Sequence, residues 1–175
     1  MRPLQLKLTG INSYREEQII DFETLTSQGL FGIFGPTGSG KSSILDAMTL
    51  ALYAKLPRDT KNFINTNEKK ANVSFLFSIT TDKTRKYLAE RSFRYHTGNN
   101  ASTVRNTTGR LILYEGDTET VLADKPTEVT NECIRLLGLT SEDFMRTVVL
   151  PQGQFSEFPS EKQRTTRYAP AYFSP

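Results

Sequence analysis

Eight consecutive residues, Gly35-Pro36-Thr37-Gly38-Ser39-Gly40-Lys41-Ser42, carry the clearest chemistry in the chain. They match G-x-x-x-x-G-K-[ST] at every fixed position, the pattern of a phosphate-binding loop. The composition follows from the task. A triphosphate is wrapped by backbone N–H groups at close range, and bulky side chains would block that approach. Lys41 would supply a full positive charge to the β and γ oxygens, and Ser42 a hydroxyl to Mg²⁺. This is a nucleotide-binding loop by its residues alone.

Such a loop needs a strand before it and a helix after it. Leu30-Phe31-Gly32-Ile33-Phe34 is a continuous apolar run that predicts a buried strand. Ile44, Leu45, Met48, Ala51 and Leu52 then recur at helical spacing to about Ala54, and Pro57 stops the helix. The helix start near Lys41 would point its partial positive charge at the phosphates.

The remaining elements follow from period and punctuation. Leu4, Leu6 and Leu8 alternate with polar residues over Pro3 to Thr9, a half-buried strand, and a short second strand is expected near Gln18 to Phe22. Residues 58–70 read as a polar surface loop. Val73, Phe75, Phe77 and Ile79 form a strand with an antiparallel partner at Tyr87 to Tyr95. Residues 98–102 have loop composition. Leu111 to Tyr114 and Thr120 to Leu122 read as a hairpin about Glu115-Gly116-Asp117. A helix runs from Pro126 with Val129, Cys133, Leu136 and Leu137 on one stripe, closed by Gly138. Thr140 to Arg146 is a short helix, and Val148 to Leu150 is strand-like.

Composition narrows the class. The chain has 175 residues, 37% of them hydrophobic, with a mean hydropathy of −0.45. It can bury a core, and no apolar run approaches the roughly 18 residues of a membrane span. One cysteine, Cys133, rules out an internal disulfide, and the single histidine, His96, argues against a metal or Ser-His-Asp site. The expectation is an intracellular, cytoplasmic protein with no membrane partner.

The net charge of +3 conceals segregation. Residues 83–110 hold Lys83, Arg85, Lys86, Arg91, Arg94, Arg105 and Arg110 against Glu90 alone. Residues 115–143 hold eight carboxylates against Lys125 and Arg135. One reading is a basic face for nucleic acid; the other is two solvated faces with no partner.

Hydrolysis needs more than the loop. A Walker-B carboxylate follows four apolar residues, and the lookalike Leu111-Ile112-Leu113-Tyr114-Glu115 runs into a turn, so it reads as a plain strand. There is no guanine-reading Asn-Lys-x-Asp, and no arginine-rich lid stands out. A free-standing P-loop kinase is therefore the weaker alternative.

The loop with its flanks resembles the N-terminal ATPase segment of the SbcC family, within the SMC-like and ABC-type ATPases. Ile11-Asn12-Ser13-Tyr14, Ile20-Asp21-Phe22, the run GPTGSGKSSILDAMTLALY to Tyr53, and Leu150-Pro151-Gln152-Gly153-Gln154-Phe155 carry the resemblance over residues 1–158. It implies an α/β P-loop NTPase fold, lobe I of an ABC-type head with an antiparallel β element, incomplete without a C-terminal half. It also implies that Gln152 of a Q-loop would ligand Mg²⁺ and sense the γ-phosphate and attacking water, with Gln154 as the competing assignment. Asn12, Ser13 and Ser43 would flank the bound nucleotide, although Gly10 stands where the family often has Asn. Asp46 matches a family position and is expected to be structural.

By the same resemblance, ATP and Mg²⁺ are the cofactors. The partners are an SbcD-type nuclease, double-stranded DNA ends, the C-terminal half and a second head, whose signature motif would cap the nucleotide. The full-length form would couple ATP to DNA end processing, with DNA across a basic surface where Lys61, Lys69, Lys70, Arg91, Arg94 and Arg105 are the candidate phosphate contacts. The alternative is a truncated remnant that only binds nucleotide or DNA. Residues 159–175 depart from the family's helix, and codons can be chosen for 168–174 that, read one base out of frame, encode a segment resembling the family's. The expectation is a frameshifted tail.

Overall fold

The computed structural model describes residues 1–25, 32–56, 62–97 and 102–147. Among them six strands form one antiparallel sheet: β1 (Arg2–Thr9), β2 (Gln18–Asp21), β3 (Lys70–Thr80), β4 (Thr84–Thr97), β5 (Ser102–Glu115) and β6 (Thr118–Ala123). Their order across the sheet is β2-β1-β3-β4-β5-β6. The described helices are α1 (Phe22–Leu25), α2 (Lys41–Tyr53), α3 (Pro126–Leu137) and α4 (Ser141–Thr147). The fold is mixed α/β, as the motifs imply.

Alternation along the strands sorts side chains onto two faces. Leu6 and Leu8, then Val73, Phe75 and Phe77, then Ala89 and Phe93 are buried on the inner face beneath α2 and α3. Phe77 stacks on its cross-strand partner Tyr87 at 5.6 Å between ring centroids. From above, α2 contributes Ile44, Ala47, Leu50 and Ala51, and α3 contributes Val129 and Cys133. Burial pushes the Cys133 thiol up to about 12, so it stays protonated in the core. α3 starts at Pro126, whose missing N–H costs nothing there, and ends at Gly138 with φ 67.

Four expectations change. The predicted strand Leu30–Phe34 falls partly outside the described residues, and its described part, Gly32 to Phe34, is in no strand. Phe34 is 93% exposed. A continuously apolar strand needs neighbours on both sides and cover on both faces, and the described sheet supplies it with neither. Phe22 opens α1 instead of closing β2, because the Asp21 carboxylate accepts the Glu23 N–H at 2.9 Å and caps the helix. Ser102 opens β5, so the strand extends well before Leu111, across a bulge opposite Ser92 and Phe93.

The fourth change concerns the segment read as a surface loop. Phe63 and Ile64 are buried, Phe63 meeting Phe93 edge to face at 5.1 Å and Ile64 bridging Ile11. An apolar pair inside a polar stretch was the available signal.

Candidate nucleotide site

The site begins at the N-terminus of α2. Gly40 precedes the helix at φ 88, and no side chain caps the first turn. The helix therefore presents backbone N–H donors and its positive dipole end outward. A Cβ at Gly40 would lie 2.8 Å from the Tyr14 ring, so glycine is required there by both conformation and space.

Lys41 folds over this loop. Its Nζ donates to the Gly35 and Pro36 carbonyls, each at 2.8 Å. The ammonium is thus held at the mouth of the cradle by neutral acceptors, with no carboxylate among them. Ser42 is exposed, and its hydroxyl makes no hydrogen bond among the described residues. It is free to serve as an oxygen ligand.

A second loop closes the flank. Asn12 Nδ2 donates to Ser43 Oγ at 2.9 Å, and Ser13 Oγ donates to the Gly38 carbonyl at 3.0 Å. With Thr37, Gly38, Gly40, Lys41, Ser42, Asp46, Leu56 and Phe63 they line a cavity of about 470 Å³. The structure therefore brings Asn12, Ser13, Ser43 and the loop residues together. Asp46 is buried within α2 beneath them. Gly10 sits at φ 69, where an added Cβ would lie 2.3 Å from the Lys70 carbonyl oxygen. That contact accounts for glycine at a position where the family often has Asn.

Gln152 and Gln154 lie outside the described residues, as do Lys61, the strand-like run 148–150 and the tail 159–175. Sequence reasoning missed Asn65, whose Nδ2 donates to the Asn12 carbonyl at 2.6 Å.

The Walker-B lookalike is an ordinary strand. Glu115 ends β5, where Lys83 Nζ at 2.9 Å and Arg85 Nε at 3.2 Å hold its carboxyl below the usual carboxylate range. Among the described residues no cluster of three His, Cys, Asp or Glu could hold a metal.

The basic segment divides. Arg91 is not a surface residue: it is buried, and its guanidinium donates to the carbonyls of Ala51, Leu52 and Pro126 and to Thr130 Oγ1 at 2.8–3.0 Å. It reached the interior because position 91 falls on the inner face of β4. Burial lowers its pKa to about 10, still charged at neutral pH. Lys83 and Arg85 are paired with Glu115. Lys70, Arg94 and Arg105 are direct cross-strand partners on β3, β4 and β5, all exposed and without an ion pair among the described residues. Like charges opposite one another destabilise a sheet, so this row is an expense the fold carries.

Residues 5–170 match the family model described as an AAA domain. The chain belongs to the AAA domain family. This AAA domain is 48% identical over 158 residues to the SbcC subunit of nuclease SbcCD from Clostridium acetobutylicum, covering 90% of the chain and 13% of that relative. It is 49% identical over 171 residues to the protein of the same name from Bacillus subtilis, covering 96% of the chain and 15% of the relative. It is 35% identical over 166 residues to the "Probable DNA double-strand break repair Rad50 ATPase" of Aquifex aeolicus, covering 92% and 15%. The AAA domain thus matches SbcC over most of its own length while spanning about one seventh of these relatives. No helix among the described residues is long and apolar enough to cross a membrane.

Proposed function

We propose that this chain binds Mg-ATP and forms the P-loop part of an SbcC-like ATPase head. The observation that carries the reading is the convergence of the Lys41 ammonium, the uncapped start of α2 and the Asn12–Ser13 loop on one cavity. Backbone donors and Lys41 would bind the phosphates, and Ser42 would hold Mg²⁺ together with Gln152. The ion would supply charge neutralisation between phosphate oxygens. Lys41 orients the terminal phosphate, and the loop glycines allow the backbone to approach it.

Hydrolysis needs a Walker-B carboxylate and a signature motif, which this chain would take from a C-terminal half and a second head. The exposed Gly32–Phe34 segment supports that reading, since an apolar run beside the loop is ready for further strands. In the complete assembly, ATP would drive processing of double-stranded DNA ends with an SbcD-type nuclease. The names of the relatives support this, and the row Lys70–Arg94–Arg105 offers contacts to a phosphate backbone.

Calorimetric titration tests the proposal. The chain should bind ATP in a Mg²⁺-dependent manner, and Lys41→Ala should weaken binding about a hundredfold, the loss of a charge-assisted contact to phosphate. Turnover should arise only after a C-terminal SbcC half is added. Hydrolysis by the chain alone would overturn the half-head reading, and no nucleotide binding would overturn the proposal.

A further inference from the structure

We infer that Asn65 is a positioning residue of the nucleotide site, acting through Asn12; the inference rests on the Mg-ATP reading above. Asn12 occupies the left-handed region at φ 46, which Asn tolerates better than most residues but does not hold unaided. Two hydrogen bonds from one segment fix its peptide groups. The Asn12 N–H donates to the Phe63 carbonyl at 2.8 Å, and its carbonyl accepts from Asn65 Nδ2 at 2.6 Å. With the backbone pinned on both sides, the Asn12 side chain is aimed at Ser43 Oγ and the adjacent Ser13 at the Gly38 carbonyl.

Asn65 is itself fixed. Its Oδ1 accepts the Asn67 N–H at 2.9 Å, which orients the amide so that Nδ2 faces Asn12, and its own N–H donates to the Gly10 carbonyl at 2.9 Å. The segment cannot drift, because Phe63 and Ile64 anchor it in the core. A rigid part of the core thereby reaches the phosphate loop through one side-chain amide and a strained residue. Asn65 does not line the cavity. Its side chain meets Asn12 and Asn67, and of these Asn12 lines the cavity, so its route to the nucleotide runs through Asn12.

The test is a coupling experiment on the full chain, reading Mg-ATP dissociation constants by calorimetry and Tm in parallel. Asn65→Asp keeps the acceptor for Asn67 and replaces the donor to Asn12 by a repelling oxygen. Mg-ATP affinity should fall about tenfold in the native background. It should change less than about twofold when Asn12→Ala and Ser13→Ala have already removed the contacts to Ser43 and Gly38. A merely structural residue would lower Tm in both backgrounds and leave affinity unchanged while the protein is folded. Asn65→Ala, which leaves the carbonyl to water and adds no charge, provides the same comparison if the aspartate variant does not fold. Equal loss in both backgrounds, or none in the first, overturns the inference. Failure of the unaltered chain to bind Mg-ATP instead sinks the functional reading beneath it.

Discussion

The rings of Tyr53 and Phe144 meet at 5.3 Å with a 54° tilt, joining the last residue of α2 to the middle of α4. The Tyr53 hydroxyl also donates to the Leu139 carbonyl at 3.2 Å, and burial pushes its phenol well above the usual range, so it remains a donor. The helix that begins at the phosphate loop therefore ends by clamping the helix that precedes Gln152 in the chain.

Truncating that clamp should loosen it measurably. Phe144→Ala is expected to cost about 3 to 5 kcal/mol, the range for removing a buried aromatic, and Tyr53→Phe about 1 kcal/mol for one hydrogen bond. Urea melts of the two variants check both magnitudes. A larger loss for Tyr53→Phe would mean the hydroxyl carries more than one bond.

Arg91 has no carboxylate partner among the described residues; its charge is held by the carbonyl end of α2 and by Pro126 and Thr130. The α2 carbonyls sit at the negative end of the helix dipole. Arg91→Met would strand these acceptors without donors, and we expect a loss of about 3 to 5 kcal/mol. Arg91→Lys should recover only part of it, since one ammonium cannot span three directions. Equal stability of the lysine variant and the unaltered chain would contradict the fork geometry.

The Lys55–Glu142 ion pair makes a pH-dependent contribution. The hydrogen bond from Lys55 is the chief cause holding the Glu142 carboxyl near a pKa of about 2, against 4.5 ordinarily. A depressed carboxylate stabilises the fold above its unfolded pKa and loses that contribution as pH falls through its folded pKa. The Tm difference between the unaltered chain and Glu142→Gln should be full at about pH 6, shrink below about pH 4.5 and vanish near pH 2. Both side chains are exposed, so added salt should reduce it at every pH.

For the row Lys70–Arg94–Arg105, two opposed consequences follow. Replacing Arg94 by Gln should leave stability unchanged or raise it slightly, because a like-charge contact is relieved. If the row meets a DNA backbone, the same change should weaken duplex binding uniformly across sequences. The slope of log affinity against log salt should then fall by about 1 per cation removed. Fluorescence anisotropy with two unrelated duplexes checks this, and a sequence-dependent loss would argue against phosphate contact.

Much of this was legible in the residues. The P-loop helix, the strand at Val73 to Ile79 and the capped helix from Pro126 are all local signals, and each appears where period and punctuation place it. What was not legible depends on distant partners. Arg91 looks like any other basic residue until the alternation of β4 turns it inward beneath α2. Asn65 looks like loop composition until Ile64 pairs with Ile11. Of the strand expected at Leu30 to Phe34, the described part, Gly32 to Phe34, forms none for a related reason: its apolar composition describes neighbours that the described sheet does not supply.

Phe34 also bears on handling the protein in solution. A whole aromatic ring stands in water next to Ile33, itself 40% exposed, at the stem of the phosphate loop. Leaving a ring of that size unburied forgoes about 1.5 to 3 kcal/mol. Colloidal behaviour should therefore be set at this point, with light scattering rising steeply with concentration and falling when Phe34 is made Ser.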